Sequence, residues 1–125
     1  MERLEELCES LGEARLRGVV AAFYRRVPDD SILGAMYPAD DLAGAEARLA
    51  DFLVYRFGGS QAYIQERGHP RLRRRHMPFA VDAAARDRWL ELMGEALDEG
   101  SVVGPARALV DGFFAHTADF LRNRP

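Results

Sequence analysis

Apolar residues recur at spacings of three and four through most of the chain, which is the pattern of amphipathic helices. The pattern predicts five helices, which cover residues 2–11, 13–27, 42–57, 83–99 and 104–121. Glycine or proline follows each of the first four, and proline stands at the permitted first position of the last. No stretch alternates with the period of a strand, so the predicted fold class is all-α.

The segments between these helices predict less regular structure. A short helical turn is expected through Ile32, Leu33 and Met36, and residues 60–70 read as an extended connection with about one turn. Asp40 or Asp41 is expected to cap the helix that begins at residue 42, and Asp82 the helix that follows it. The weak first helix is expected to dock on the others.

One stretch, Arg71–Phe79, places a single imidazole at the end of a short basic segment. Pro78 cannot continue a helix and biases Met77 away from helical dihedrals, so any helix that carries His76 ends almost at once. From the residues alone three interpretations stay open: His76 ligates a metal or haem iron, acts as a base, or is simply a histidine on a helix end.

Composition restricts the classes of protein to be considered. The 125 residues suit one domain, and a net charge of -3 argues against a general nucleic-acid binder. No apolar run approaches the length that crosses a bilayer. The lone Cys8 excludes an internal disulfide and no signal-peptide pattern is present, so a cytoplasmic location is expected.

Several common sites are absent from the pattern. Gly58-Gly59-Ser60 lacks the spacing and the lysine of a phosphate loop. His69 and His76 stand seven apart with Pro70 between them, which is not a chelating spacing, so a zinc site is a weak hypothesis.

Five motifs occur in one order along the chain: Phe23–Val27, Tyr37–Glu46, Gly58-Gly59, Gly68–Phe79 and Arg86–Leu90. In residue type and spacing they resemble the group II truncated haemoglobins over about residues 20 to 98. The resemblance implies a single globin-like domain over residues 1–125, a two-over-two sandwich of four main helices around haem b. Residues 1–18 depart from the usual family opening and form an atypical N-terminal helix.

By position, His76 matches the proximal ligand of the haem iron, bound through one ring nitrogen. Tyr24, Tyr37 and Trp89 match the three polar distal positions, and each carries one O–H or N–H donor on an apolar ring. Ala45 falls where many globins have a distal histidine or glutamine, so the resemblance leaves the hydrogen bonding to the tyrosines and the indole.

Further haem contacts are expected from apolar residues above the ring and from residues near the haem edge. Leu49, Phe52 and Leu53 are expected above the ring, and Arg73, Arg75 or Tyr63 at the propionates, because guanidinium groups pair well with carboxylates. Most of the other arginines of the run are expected in solvent. The other expected contacts are Leu72, Met77, Phe79 and Met93.

The function that the resemblance implies is reversible binding of dioxygen, carbon monoxide and nitric oxide at a haem iron. A haem-dependent redox enzyme, peroxidase-like or a nitric oxide dioxygenase, is the alternative at the same iron, and a haem-free helical interaction module is a third class. A reductase partner and a homodimer stay open. Neither nucleic acid nor a membrane is an expected partner.

Overall fold

The computed structural model describes residues 2–37, 39–68, 70–77 and 79–124, and for Ala62, Arg67, Arg74 and Arg75 the backbone alone. The expected helix-ending role of Pro78 lies outside these residues, and so does the loop position of His69. Within the described chain every regular element is helical, which confirms the all-α prediction.

In the part of the chain that the structure describes, seven α-helices and two 3-10 turns follow one another. The α-helices are α1 (Leu7–Leu11), α2 (Glu13–Arg26), α3 (Leu42–Arg56), α4 (Ala62–Arg67), α5 (Leu72–His76), α6 (Ala83–Glu99) and α7 (Gly104–Leu121). The 3-10 turns are Leu4–Glu6, ahead of α1, and Gly34–Met36, between α2 and α3. The long helices therefore lie where the apolar spacing predicts them.

Two local predictions are confirmed only in part. The part of the 60–70 connection that spans Ala62–Arg67 is a helix rather than an extended segment, because its packing on α3 outweighs a weak local pattern. Asp41 stands at the N-cap of α3, but its side chain makes no capping bond and instead pairs with Arg48 at 3.3 Å. Asp82 does cap α6, because its Oδ1 accepts from the Ala85 amide at 2.8 Å.

Helix α2 lies at the centre of the packing and contacts both α3 and α6, and α6 also packs against α7. The reason is the width of its apolar face: Leu16, Val19, Val20 and Phe23 are all buried, and Val27 just beyond the helix is buried too. The four long helices thus surround one core through three contacts, α3 with α2, α2 with α6 and α6 with α7.

The short helices lie at the margins of this core. Helix α4 packs on α3, and α5 packs on α7. Among the residues that the structure describes, no helix has the length and apolar character needed to span a membrane.

Candidate functional site

A cavity of about 360 Å³ opens between the long helices and the two short ones. It receives side chains from α2, α3, α4, α5, α6 and α7 and from the segments 33–37 and 79–81. Most of its lining side chains are apolar, with a few polar groups placed among them. This combination is typical of a site for a small organic ligand or cofactor.

His76 is the last residue of α5 and its imidazole lines the cavity. Its Nδ1 lies 2.7 Å from the carbonyl oxygen of Leu72, one helical turn back. That carbonyl can only accept, so Nδ1 carries the proton and donates, and the neutral ring keeps the lone pair of Nε2 free to coordinate. A bond from one ring nitrogen to a backbone carbonyl is how metal-ligating histidines are commonly oriented.

Three side chains that each carry one polar hydrogen, those of Tyr24, Tyr37 and Trp89, lie together on another part of the wall. The indole Nε1 of Trp89 donates to the Tyr37 hydroxyl at 3.2 Å, and the rings of Tyr24 and Tyr37 meet edge to face with centroids 5.6 Å apart. Because the Tyr37 oxygen accepts from the indole, its own O–H hydrogen is left for an acceptor in the cavity.

Both tyrosines stay neutral well above neutral pH. Burial is the main cause that raises the pKa of Tyr24 far above its usual value, and the neighbouring Tyr37 adds to it. Burial also raises the pKa of Tyr37, although its hydrogen bonds with Trp89 and Tyr24 oppose this. The two phenols therefore keep their protons and can serve as hydrogen-bond donors.

The apolar wall comes mainly from α3. Leu49, Phe52 and Leu53 line the cavity, and Ala45, one turn earlier on the same helix, presents only a methyl group. Phe52 also packs edge to face against the buried ring of Tyr63, with centroids 5.6 Å apart. This wall excludes water from one side of the cavity.

Ten of the residues expected to bind a cofactor line this one cavity. They are Tyr24, Tyr37, Leu49, Phe52, Leu53, Tyr63, Leu72, His76, Phe79 and Trp89. Their roles toward a cofactor stay predictions, but the structure brings their side chains together from helices far apart in the sequence.

Two expected contacts, Met77 and Met93, are not among the lining side chains that the structure describes. Met77, in the turn directly after α5, is 65% exposed. Met93 is buried and lines a separate groove between α6 and α7, one turn beyond Trp89 on its helix. The side chain of Arg75 lies outside the described part of the chain.

Among the side chains that the structure describes, the arginine at the cavity is Arg48 and not the expected Arg73. Arg73 is exposed, with its guanidinium 5.6 Å from the centroid of the Phe120 ring, whereas Arg48 of α3 lines the cavity mouth. Arg48 also acts on the Tyr24 hydroxyl, whose pKa its positive charge lowers against the larger effect of burial. Its spacing of three from Ala45 and of four from Phe52 was a signal that it shares their face of α3.

Sequence reasoning also missed part of the wall that α7 and the segment before α6 provide. The missed lining residues are Leu33, Met36, Val81, Ala85, Phe113, Phe114, Thr117, Ala118 and Leu121. Several belong to apolar stripes that the sequence shows, but a stripe does not indicate whether it faces another helix or a cavity.

Comparisons with known proteins agree with this arrangement. The family model described as bacterial-like globin matches residues 6–120. A group 2 truncated haemoglobin of Bacillus subtilis is 34% identical over 116 residues, which are 93% of this chain and 87% of that protein.

Solved structures give the same answer for the fold. The group II truncated haemoglobin of Bacillus anthracis has a TM-score of 0.91 at 34% identity and covers 95% of this chain and 92% of its own. A haemoglobin of Chloroflexus aurantiacus has a TM-score of 0.90 at 43% identity and covers 94% of this chain and 98% of its own.

The fold and its cavity are therefore those of a globin. The chain belongs to the group II truncated haemoglobins. Membership of this family implies that the protein binds haem and diatomic gas ligands. The expected all-α, truncated-globin fold is the fold of the solved structures that it matches.

Proposed function

We propose that this protein binds haem b in the cavity through Nε2 of His76 and reversibly binds dioxygen, carbon monoxide or nitric oxide on the other face of the haem. The observation that carries the proposal is the 2.7 Å contact between His76 Nδ1 and the Leu72 carbonyl. It occupies one ring nitrogen, sets the tautomer and leaves the other nitrogen to coordinate.

The residues of the cavity fit this group. A wall of leucine and phenylalanine suits the flat apolar ring, and Arg48 at the mouth supplies a positive charge for a propionate. Haem bound here would supply an iron atom that binds diatomic ligands, and the polar groups near those ligands would decide how it uses them.

The three polar hydrogens of the wall provide that polarity. Trp89 orients Tyr37, and Tyr37 and Tyr24 keep their protons through the neutral range because burial raises the pKa of each. In a site from which Leu49, Phe52 and Leu53 exclude water, such donors hold a ligand that takes on negative charge more strongly than solvent would.

The test is the absorption spectrum of the wild type and of His76→Ala, with and without dithionite and carbon monoxide. We expect the wild type to show a strong Soret band that shifts on reduction and again with carbon monoxide. His76→Ala should lose the ferrous five-coordinate spectrum, and added imidazole should restore it if the fold is intact. His116→Ala, which removes an exposed histidine of α7, is the matched control.

An unchanged spectrum in His76→Ala would overturn the assignment of the ligand. Absence of any Soret band from the wild type after expression with haem supplied would overturn haem binding as well. Redox turnover, a reductase partner, a homodimer and a cytoplasmic location stay predictions. Redox turnover can be tested by peroxide and nitric oxide assays, and a reductase partner by pull-down. Measurement of the mass in solution tests the homodimer, and cell fractionation tests the location.

A further inference from the structure

The chain after α7 returns to the segment that follows His76. Two backbone amides, those of Asn123 and Arg124, donate to the carbonyl of Val81 at 2.9 and 3.2 Å. The Val81 amide in turn donates to Oδ1 of Asn123 at 2.9 Å. The C-terminal residues are therefore joined to the connection between α5 and α6.

The side chain of Asn123 makes two more bonds, and these reach the end of α5. Its Nδ2 donates to the carbonyl of His76 at 3.3 Å and to the carbonyl of Phe79 at 3.0 Å. A carboxamide has two N–H donors and one carbonyl acceptor, and all three are engaged here. One side chain thus holds His76, Phe79 and Val81 in fixed relation to the end of α7.

Helix α5 needs such support because it cannot fix its own position. It has five residues, fewer than an isolated helix needs in water. The bond from His76 Nδ1 to the Leu72 carbonyl sets the ring relative to α5, but both groups belong to that helix. The contact with Asn123, 47 residues away, adds to the packing of α5 on α7 a hydrogen bond that joins the backbone of His76 itself to the chain after α7.

We propose that Asn123 is a positioning residue for the haem ligand: by binding the carbonyl of His76 it holds the imidazole at a set height and tilt toward the cavity. This inference rests on the proposed function, because it gives His76 the role of iron ligand. It adds to that function a residue from the opposite end of the chain.

Neither aspartate nor alanine could make all three side-chain bonds that asparagine makes here. Aspartate would still accept from the Val81 amide, but it would offer no donor to the two carbonyls and would set a negative charge against them. Alanine would remove all three bonds. Both changes leave the backbone bonds between Asn123, Arg124 and Val81 available, so the tail need not detach.

The experiment compares Asn123→Ala, Asn123→Asp and Arg122→Ala with the wild type as haem-loaded proteins. Arg122 is the matched control, because its guanidinium bonds to the carbonyl of Arg124 within the same tail. The first measurement is the iron–histidine stretching band of the unligated ferrous protein by resonance Raman spectroscopy. The second is the rate at which haem is lost to an excess of a haem-scavenging apoprotein.

We expect both Asn123 variants to shift and broaden the stretching band and to lose haem about 10-fold faster. This is the lower end of the effect expected when a group that orients a metal ligand is removed. Arg122→Ala should match the wild type in both measurements. The band reports the bond at His76 itself, so a residue that only stabilises the tail would lower the unfolding temperature without moving it.

An unchanged band in both Asn123 variants would overturn the inference, and so would an equal shift in Arg122→Ala. These results are distinct from failure of the proposed function. In that case the wild type would lack the band, or His76→Ala would retain it.

Discussion

At the scale of single residues, Trp89 has two tasks in the cavity wall. Its indole ring packs between Phe23 and Phe114, with centroids 5.1 Å from each, and its Nε1 donates to the Tyr37 hydroxyl. The first task fills the core, and the second orients a neighbouring donor. Substitution by phenylalanine, which keeps an aromatic ring but removes the N–H donor, can separate the two.

We expect dioxygen to leave the protein faster in Tyr37→Phe than in Trp89→Phe, and faster in both than in the wild type. Tyr37→Phe removes a donor to a ligand that takes on charge, worth about 1.5–3 kcal/mol, or about 10- to 100-fold in rate. Trp89→Phe removes a neutral bond that only orients Tyr37, worth about 1 kcal/mol, or about 5-fold. Stopped-flow measurement of dioxygen dissociation checks this order.

Tyr55→Phe serves as the control for that series. Tyr55 is half-buried and stacks on Tyr63 with centroids 5.9 Å apart, but it does not line the cavity. Its loss of one hydroxyl should leave the rate unchanged. If Trp89→Phe increased the dissociation rate more than Tyr37→Phe does, the indole would donate directly to the ligand, and the orienting role assigned to it would be wrong.

At the scale of elements, the N-terminal segment is attached to the end of α3 by a close backbone approach. The amide of Cys8 donates to the carbonyl of Phe57 at 2.9 Å, and Leu7 is completely buried. A Cβ atom on Gly58 would lie only 1.7 Å from the carbonyl oxygen of Glu5. Gly58 therefore does more than end α3, because it leaves the space in which the first segment docks.

Gly58→Ala should destabilise the protein more than Gly12→Ala does. Both glycines have φ of +91°, so both substitutions carry backbone strain of about 1–3 kcal/mol. A Cβ atom on Gly12 would meet nothing within 4 Å, whereas one on Gly58 displaces the backbone of Glu5. Thermal unfolding of the two variants measures the difference.

Deletion of residues 1–6 is the control, because it removes Glu5 and leaves Leu7 in place. In the shortened chain the two substitutions should have similar effects, since only the strain remains. If the larger effect of Gly58→Ala persisted there, the contact with Glu5 would not be its cause.

At the scale of the whole molecule, a buried carboxylate joins the segment after α2 to α6. Asp30 accepts from the amides of Ile32 and Leu33 at 3.1 and 2.8 Å and pairs with the guanidinium of Arg88. The bond from Leu33 is the main cause that lowers the pKa of Asp30, and Arg88 lowers it further. Arg88 precedes Trp89, so the pair also helps to hold the helix that carries the indole.

The sign of this shift predicts how stability changes with acid. The pKa of Asp30 is lower in the folded protein than its usual value of about 3.9 in an unfolded chain, so its contribution is present above that value and is lost as the pH falls through the folded pKa. Asp30→Asn should therefore lower the unfolding midpoint at pH 7, and its difference from the wild type should narrow below about pH 4.

Unfolding midpoints from pH 7 to pH 3 check this, with Asp29→Asn as the control. Asp29 is the exposed neighbour of Asp30, and its substitution should follow the wild type throughout. A constant gap between Asp30→Asn and the wild type at every pH would show that the shape of the side chain matters, and not its charge.

The sequence by itself determined the long helices and the four residues on which the proposed function depends most. Helix α3 and the buried face of α2 follow from apolar spacing, because that spacing is a property of neighbouring residues. The ordered motifs identified His76, Tyr24, Tyr37 and Trp89 together, and no single one of them would have sufficed.

Only the tertiary structure decided which side chains share the cavity. Met77 and Phe79 look alike as apolar neighbours of Pro78, but Met77 faces solvent while Phe79, 40% exposed, lines the cavity. Arg48 rather than Arg73 lies at the mouth of the cavity. Asn123 donates to the carbonyl of His76, which lies 47 residues earlier in the chain. Apolar spacing along the sequence predicts which face of a helix is buried, whereas the packing between distant helices determines which residues bury it.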